Sequence, residues 1–135
     1  MNIRKATIKD LDKITELEAI CFPEAEAATR ESFQERLTYY PNHFWLLEEK
    51  DNLISFVNGM VTDEDHLTDE MYERASMHNE HGKWQMIFGV NTVPEHRCKG
   101  YAGKIIKQVI VEAREQGRKG LVLTCKERLV HYYAT

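Results

Sequence analysis

The sequence lacks any apolar run that approaches the ~20 residues needed for a membrane-spanning helix. Residues 1–5 (MNIRK) also lack the apolar core of a signal peptide. Cysteine is scarce, and the three present, Cys21, Cys98 and Cys125, are odd in number and widely spaced, which fits neither a disulfide framework nor a zinc site. We therefore expect a cytoplasmic protein with no membrane partner and no metal.

An excess of positive charge is also absent. The chain has 18 Lys and Arg against 22 Asp and Glu, a formal net charge of −4. A protein whose main partner is nucleic acid needs a basic face, so the net charge argues against a nucleic-acid-binding protein. It does not exclude a local basic pocket. There is no low-complexity tract and no internal repeat. The 135 residues, 42% of them hydrophobic, suit a single soluble domain over residues 1–135.

The first residues predict a short strand and then an amphipathic helix. Residues 2–5 predict the strand. Thr7 and Asp10 have the spacing of a capping box, in which the threonine hydroxyl accepts a hydrogen bond from the first turn and the aspartate favours the positive helix end. Pro23 ends the helix. Its apolar face carries Leu11, Ile14, Leu17 and Cys21.

A second helix and a hairpin follow. Thr29 is a plausible N-cap for the helix, and Pro41 stops it. Residues 43–49 and 53–61 predict two strands. The turn residues 50–52 (KDN) between them indicate an antiparallel hairpin.

The third part of the chain combines a long polar connection with a central strand. Residues 62–83 are acidic and polar, with a short helix predicted at 68–75. A connection of this length in a small domain is usually functional. Residues 84–93 predict the central strand, which should separate from its neighbour near residues 88–92.

The last part predicts a crossover helix, a buried strand and a further helix. The helix covers residues 100–116, with Gly117 as its C-cap. Residues 121–125 (LVLTC) predict a strand parallel to the central one. Residues 127–135 predict the beginning of another helix.

The most informative stretch is residues 90–104 (VNTVPEHRCKGYAGK), a strand end, a tight turn and a helix start. The backbone N–H groups at the positive end of a helix form a natural seat for phosphate oxygens. Arg97, Lys99 and Lys104 add positive charge nearby. The stretch therefore predicts that a phosphate-bearing cofactor is held here.

Residues 97–102 (RCKGYA) fit the pattern R/Q-x-x-G-x-G/A, which resembles the acetyl-coenzyme A signature of the GCN5-related N-acetyltransferase (GNAT) superfamily. The element order is similar to that fold over nearly the whole chain. Residues 3–10 and 21–24 (CFPE) also resemble family segments. Residues 121–133 (LVLTCKERLVHYY) are most similar to the arylalkylamine (serotonin) N-acetyltransferase branch.

The resemblance implies an α/β (α+β) fold whose mixed antiparallel and parallel sheet is splayed between its fourth and fifth strands and flanked by helices. It implies an enzyme that transfers an acetyl group from acetyl-CoA to a primary amine by direct attack. The residues expected to bind the cofactor are Val90, Thr92, Val93, Arg97, Cys98, Lys99, Gly100, Tyr101, Ala102, Gly103 and Lys104.

The resemblance also assigns a general acid but not a general base. Tyr133 matches the family tyrosine that protonates the departing thiolate, a role that suits a phenol at neutral pH. Arylalkylamine enzymes carry histidines at positions that correspond to Met86 and Phe88 in this chain, and neither of these side chains can accept a proton. The alternatives are a carboxylate reached through water, or one of the surface residues His78, Glu80, His81, Glu24 and Glu26.

The acceptor is open between an arylalkylamine, a polyamine, an amino sugar and a protein N-terminus. Phe22, Pro23 and Phe33 are expected to line its site, and a homodimer is possible. A non-catalytic acyl-CoA-binding module is the alternative function. Another kind of nucleotide-binding domain fits poorly, because the loop lacks the Gly-Lys-Ser/Thr of a P-loop.

Family members normally continue past the tyrosine that corresponds to Tyr133 into two more strands, which close the splayed sheet. We expect these strands to lie outside the present sequence or to be supplied by another chain, because an open apolar edge invites pairing.

Overall fold

The computed structural model describes residues 2–25, 27–96, 99–125 and 128–132, with the main chain alone for 123–125 and 128–132. It has a mixed α/β fold, as expected. The eight strands are β1 (Asn2–Lys5), β2 (Phe44–Glu49), β3 (Asn52–Asn58), β4 (Val61–Thr62), β5 (Trp84–Ile87), β6 (Gly89–Thr92), β7 (Gly120–Cys125) and β8 (Arg128–Tyr132). The helices are α1 (Leu11–Cys21), α2 (Arg30–Tyr39), α3 (Asp69–Glu73) and α4 (Tyr101–Glu115).

The strands form two four-stranded sheets, in the orders β1-β2-β3-β6 and β4-β5-β7-β8. The first sheet is antiparallel throughout. In the second, β5 and β7 are parallel, and α4 lies between β6 and β7 in the chain, which confirms the predicted crossover. The predicted hairpin is also confirmed, with Lys50 and Asp51 both at positive φ in its turn.

The predicted central strand, residues 84–93, is divided between the two sheets at Phe88. The Phe88 N–H donates to the Asn58 carbonyl at 2.7 Å, while the strand ladder pairs Asn58 with Gly89. Two residues therefore lie opposite one, and such a bulge bends a strand. This bulge directs β5 into one sheet and β6 into the other.

Two other strand predictions need correction. The predicted strand 53–61 ends at Asn58, and Val61 belongs to β4, which pairs with β5 instead. The predicted helix at 127–135 is wrong where the structure describes it, because residues 128–132 form β8 antiparallel to β7. A strand there pairs the otherwise open edge of β7 and satisfies its main-chain groups.

Two apolar layers enclose the sheets, because successive strand side chains point to opposite faces. One layer packs under α1 and α2, and the other under α4. The first contains Ile14, Leu17, Phe33, Leu37, Phe56, Met86 and Phe88. The second contains Trp45, Val57, Ile87, Ile105 and Val109.

The capping box at the start of α1 is confirmed, with a short 3-10 turn (Ile8–Asp10) before the helix. The Asp10 carboxylate accepts hydrogen bonds from Arg4 Nη1 at 2.9 Å, Arg4 Nη2 at 2.6 Å and the Thr7 N–H at 2.8 Å. Burial by itself raises the pKa of Asp10, but the hydrogen bonds from Arg4 and Thr7 outweigh it and hold this pKa below its usual value. The ionised carboxylate thus ties β1 to α1.

This lowered pKa predicts acid sensitivity. Because Asp10 is more acidic folded than unfolded, its contribution to stability is complete above its unfolded pKa and is lost as pH falls through its folded pKa. We expect Asp10→Asn to lower the free energy of unfolding at pH 7 by about 1–2 kcal/mol. Below pH 4, the free energy of unfolding of this variant should decrease less steeply with falling pH than that of the unmodified chain. Urea unfolding from pH 7 to pH 2 measures both effects. Asp12→Asn, at an exposed partner of Arg30, is the control and should change neither.

Candidate functional site

The strands of the second sheet open into a cleft beyond Phe88. β5 and β7 are paired from Trp84 and Gly120 to Ile87 and Leu123. Beyond this point the chain continues as β6, which among the described residues pairs only with β3. The predicted separation of the central strand from its neighbour is therefore present, and it begins at the bulge.

Two predicted positions, Val90 and Thr92, lie on β6, and the main-chain carbonyl of Thr92 accepts a hydrogen bond from Cys21 Sγ at 3.4 Å. Val93 donates its N–H to the Ile54 carbonyl at 2.9 Å. Hydrogen-bonding direction alternates along an antiparallel strand, so Asn91 also faces β3, while Val90 and Thr92 direct their main-chain groups toward the cleft.

Val93 differs from the prediction. Its N–H is used by Ile54, and its carbonyl accepts from the His96 N–H at 3.0 Å. Neither main-chain group is free for a cofactor, and its side chain packs against both apolar layers.

The predicted helix start at residue 100 is confirmed. Gly100 is the N-cap residue at φ 80°, in the left-handed region that favours glycine, and a Cβ there would meet nothing within 4 Å. The Lys104 N–H donates to the Gly100 carbonyl at 3.1 Å, so the N–H groups of the first turn point out of the helix end. Lys99 and Lys104 are exposed beside it.

The remaining predicted cofactor residues divide into two groups. Tyr101 and Ala102 are half-buried and Gly103 is exposed, with the Tyr101 ring 5.8 Å from that of His96. Arg97 and Cys98 lie outside the described residues, as does the predicted general acid, Tyr133. A positive helix start, open space at a left-handed glycine and two exposed lysines fit a pyrophosphate group.

The predicted acceptor residues occupy different environments. Phe22 is half-buried and Pro23 exposed in the α1–α2 connection. Phe33, by contrast, is fully buried, with its ring edge-on to Phe44 and Phe56. The expectation that Phe33 lines the acceptor site is therefore corrected: its position on the inner face of α2 places it in the core.

Sequence reasoning missed a set of buried polar side chains beside the cleft. Arg36 of α2 donates to Asn58 Oδ1 at 3.0 Å, and Glu18 of α1 accepts from Asn91 Nδ2 at 2.8 Å. All four are at most 7% exposed. Asn91 was the only one with a signal in the sequence, as a polar residue within a buried strand. Arg36 and Glu18 occur in helices rich in charged residues, so their burial leaves no such signal.

The structure places the candidate bases in unlike surroundings. Glu24 and His81 are exposed, and Glu26 is outside the described residues. Met86 and Phe88, at the positions of the arylalkylamine histidines, are buried and apolar. The other two, His78 and Glu80, join a separate network.

In that network, Glu80 connects two imidazoles with Arg118. Both Glu80 oxygens lie 3.0 Å from His43 Nε2, one lies 2.9 Å from His78 Nε2, and the other lies 3.3 Å from Arg118 Nη2. Burial lowers the pKa of both His43 and His78, although Glu80 opposes this.

His43, His78 and Glu80 could hold a metal ion by distance, but their hydrogen bonds argue for protons. His78 Nδ1 accepts the Val61 N–H at 3.0 Å, so a neutral His78 carries its proton on Nε2, the atom that a metal would need. Arg118 follows the end of α4, so the network lies one helix length, about 22 Å, from the turn at Gly100.

The model of the acetyltransferase (GNAT) family matches residues 11–134. The chain belongs to this family. Comparison with curated protein sequences gives no significant match. Among the described residues of this GNAT protein, no helix has the length and apolar character needed to cross a membrane.

Solved structures agree with the GNAT fold. The GphF GNAT-like decarboxylase in complex with isobutyryl-CoA has a TM-score of 0.83 and 24% identity over 94% of this chain and 68% of its own. The loading GNATL domain of CurA from Lyngbya majuscula has a TM-score of 0.80 and 22% identity over 90% of this chain. The present chain spans 63% of that domain's length.

A third structure is an N-acetyltransferase. Diaminobutyrate acetyltransferase EctA from Paenibacillus lautus, solved with 2,4-diaminobutyric acid and coenzyme A, has a TM-score of 0.66 and 12% identity over 92% of this chain and 64% of its own. These three structures support the superfamily without singling out the arylalkylamine branch.

Proposed function

We propose that this GNAT protein is an acyl-CoA-dependent N-acyltransferase that moves an acetyl group from acetyl-CoA to a primary amine. The observation that carries this proposal is the open edge of β6 beside the left-handed Gly100 at the start of α4. An open strand edge and a helix start next to each other suit one ligand with an amide-bearing arm and a pyrophosphate. Membership of the family and the coenzyme A complexes of GphF and EctA support it.

Each part of the cleft has a distinct role in this proposal. The main chain at residues 98–103 would hold the pyrophosphate, with Arg97, Lys99 and Lys104 adding charge. Val90 and Thr92 would bind the amide-bearing arm. Coenzyme A, when bound, supplies the activated acyl thioester. Placing the thioester along a fixed strand edge raises the effective concentration of the reactants.

Tyr133 is the proposed general acid, so Tyr133→Phe is a direct test. Loss of the hydroxyl should reduce kcat roughly 100-fold or more, because the leaving thiolate is no longer protonated, while affinity for coenzyme A stays within twofold. Thiol release and calorimetry measure the two quantities. Tyr132→Phe, one residue earlier in β8, is the matched control. An equal loss of kcat in both variants would contradict the assignment.

The function itself is tested by titrating coenzyme A and then measuring thiol release with a panel of primary amines. Micromolar binding with acetylation of any amine supports an N-acetyltransferase. Binding without release would instead support the non-catalytic acyl-CoA-binding alternative.

We also propose that the chain forms a single domain in the cytoplasm and that it forms a homodimer. Size-exclusion chromatography would test the homodimer. Because Met86 and Phe88 are apolar and buried, we do not propose a histidine base of the arylalkylamine type at these positions.

A second candidate function is decarboxylation of a carboxyacyl-CoA. The observation that favours it is the closer superposition on the GphF decarboxylase than on the diaminobutyrate acetyltransferase. Release of carbon dioxide from a carboxyacyl thioester, in the absence of any amine, would identify this activity.

A further inference from the structure

We propose that the acceptor is a free amino acid, recognised through both its amine and its carboxylate by two buried pairs, Arg36–Asn58 and Glu18–Asn91. This inference rests on the proposed N-acyltransferase function, and it names the substrate class of the same cleft. The supporting observation is that two oppositely charged side chains, Arg36 and Glu18, each form a hydrogen bond with an asparagine beside the bulge where the sheets separate.

The positive pair contains a buried guanidinium with no ion-pair partner among the described residues. Arg36 is 4% exposed and donates to Asn58 Oδ1 and to the Tyr72 carbonyl, both at 3.0 Å. Its Nε is buried without a hydrogen-bond partner. The guanidinium carbon lies 5.2 Å from the Phe33 ring centre and 4.9 Å from that of Phe88, the bulge residue. Burial lowers the pKa of Arg36, and the carboxylates of Glu18 and Glu35 oppose this only through space, without an ion-pair contact. A substrate carboxylate would supply that direct contact.

In the negative pair, the asparagine is the hydrogen-bond donor and the charged residue is the acceptor. Glu18 is 7% exposed, and its two oxygens accept from the Ala28 N–H and from Asn91 Nδ2, each at 2.8 Å. Because Nδ2 of Asn91 is used in this way, its Oδ1 remains buried and has no hydrogen-bond partner. An unsatisfied buried acceptor costs about 1–3 kcal/mol, so it calls for a donor.

The two asparagines meet at Gly89, the first residue after the bulge. A Cβ at this position would lie 3.1 Å from Asn91 Oδ1 and 3.8 Å from Asn58 Nδ2. A Cβ on residue 89 would therefore press against Asn91 Oδ1 and touch Asn58 Nδ2, so glycine at this position leaves an acceptor and a donor uncovered side by side. Glu18 strengthens Asn91 Oδ1 as an acceptor, and Arg36 strengthens Asn58 Nδ2 as a donor, because linked hydrogen bonds polarise one another.

This pattern of charge matches a zwitterion. The amine N–H would donate to Asn91 Oδ1 with Glu18 behind it, and the carboxylate would accept from Asn58 Nδ2 with Arg36 behind it. The bound ammonium group first loses one proton to solvent, and the resulting neutral amine attacks the thioester carbonyl carbon, so that a C–N bond forms and the C–S bond breaks. The thiolate takes a proton from Tyr133, and the nitrogen loses one proton, which restores the tyrosine. Positive charge that develops on nitrogen is stabilised by Asn91 and Glu18.

The test compares each amino acid with the amine that lacks its carboxylate, using acetyl-CoA as donor. We expect at least one amino acid to be acetylated with a kcat/KM at least 100-fold above that of its carboxylate-free analogue. Arg36→Gln should reduce this preference below tenfold, mainly by raising KM for the amino acid, and Arg36→Lys should restore part of it. Arg118→Gln removes an equally buried arginine at the far end of α4 and should leave the preference intact.

Two further variants keep the test decisive if Arg36→Gln fails to fold, which loss of coenzyme A binding would reveal. Gly89→Ala places a methyl group against both asparagine amides and should raise KM for the amino acid at least tenfold with little change for the carboxylate-free amine. Glu18→Gln keeps the shape but removes the charge, and should lower kcat and shift its pH profile.

The outcomes separate this inference from the proposed function. Equal use of an amino acid and its carboxylate-free analogue overturns the amino-acid assignment but leaves an N-acyltransferase. Coenzyme A binding without acetylation of any amino acid also overturns it. Carbon dioxide release from a carboxyacyl thioester that depends on Arg36 would assign this arginine to the acyl group instead. Failure to bind coenzyme A at all would refute the proposed function itself.

Discussion

Gly100→Val is expected to weaken the binding of coenzyme A at least tenfold. Gly100 is at φ 80°, where a β-branched residue is strained, and its open Cβ position faces the proposed pyrophosphate seat. The valine would either block that seat or rotate the first-turn N–H groups away from it. Loss of a single charge-assisted hydrogen bond costs about 1.5–3 kcal/mol, which corresponds to a factor of ten or more.

The matched control for this prediction is Gly117→Val. Gly117 is at φ 75°, a Cβ there also meets nothing within 4 Å, and it follows the other end of the same helix. The two variants should lose similar stability, about 1–2 kcal/mol each, but only Gly100→Val should lose affinity. Calorimetric titration with coenzyme A and urea unfolding separate the two effects. Similar affinities in both variants would refute the proposed seat.

Gly59→Ala is expected to reduce the free energy of unfolding by roughly 3 kcal/mol or more, the upper range for overpacking a core. A Cβ on Gly59 would lie 1.9 Å from the carbonyl oxygen of Met86 and 2.6 Å from its carbonyl carbon. These are main-chain atoms of β5, so no side-chain rotation can relieve the clash. The sheets would have to separate beside the bulge.

Urea denaturation of Gly59→Ala should therefore give a much lower midpoint than the unmodified chain. Gly103→Ala is the control, because its added methyl group meets nothing within 4 Å inside α4. Alanine is favoured over glycine within a helix, so that variant should gain up to about 1 kcal/mol. An unchanged midpoint for Gly59→Ala would show that the close approach of residue 59 to β5 is incorrect.

Local sequence signals predicted the parts of the fold that depend on neighbouring residues. Thr7 with Asp10, and Thr29 with the Ser32 N–H, cap their helices as expected, because these contacts span only three residues. Gly117 has the left-handed conformation predicted for a C-cap. Gly100 is the N-cap residue of α4, so the glycine pattern that led to the family was correctly placed at a helix start.

Features that depend on distant residues were not predictable in this way. The segment 127–135 gave no local indication that residues 128–132 would pair with β7. Phe33 was expected to line the acceptor site together with Phe22 and Pro23. Its actual partners, Phe44 and Phe56, come from two strands whose positions only the assembled sheet defines.

By itself, the sequence determined the first helices, their caps, the hairpin turn and the glycine turn that belongs to the GNAT family, because each depends on a few consecutive residues. Only the tertiary structure decided where the central strand breaks and which polar side chains meet there. Arg36 and Asn58 are 22 residues apart, and Glu18 and Asn91 are 73 apart. Contacts at such separations follow from packing helices against a sheet, which no local pattern encodes.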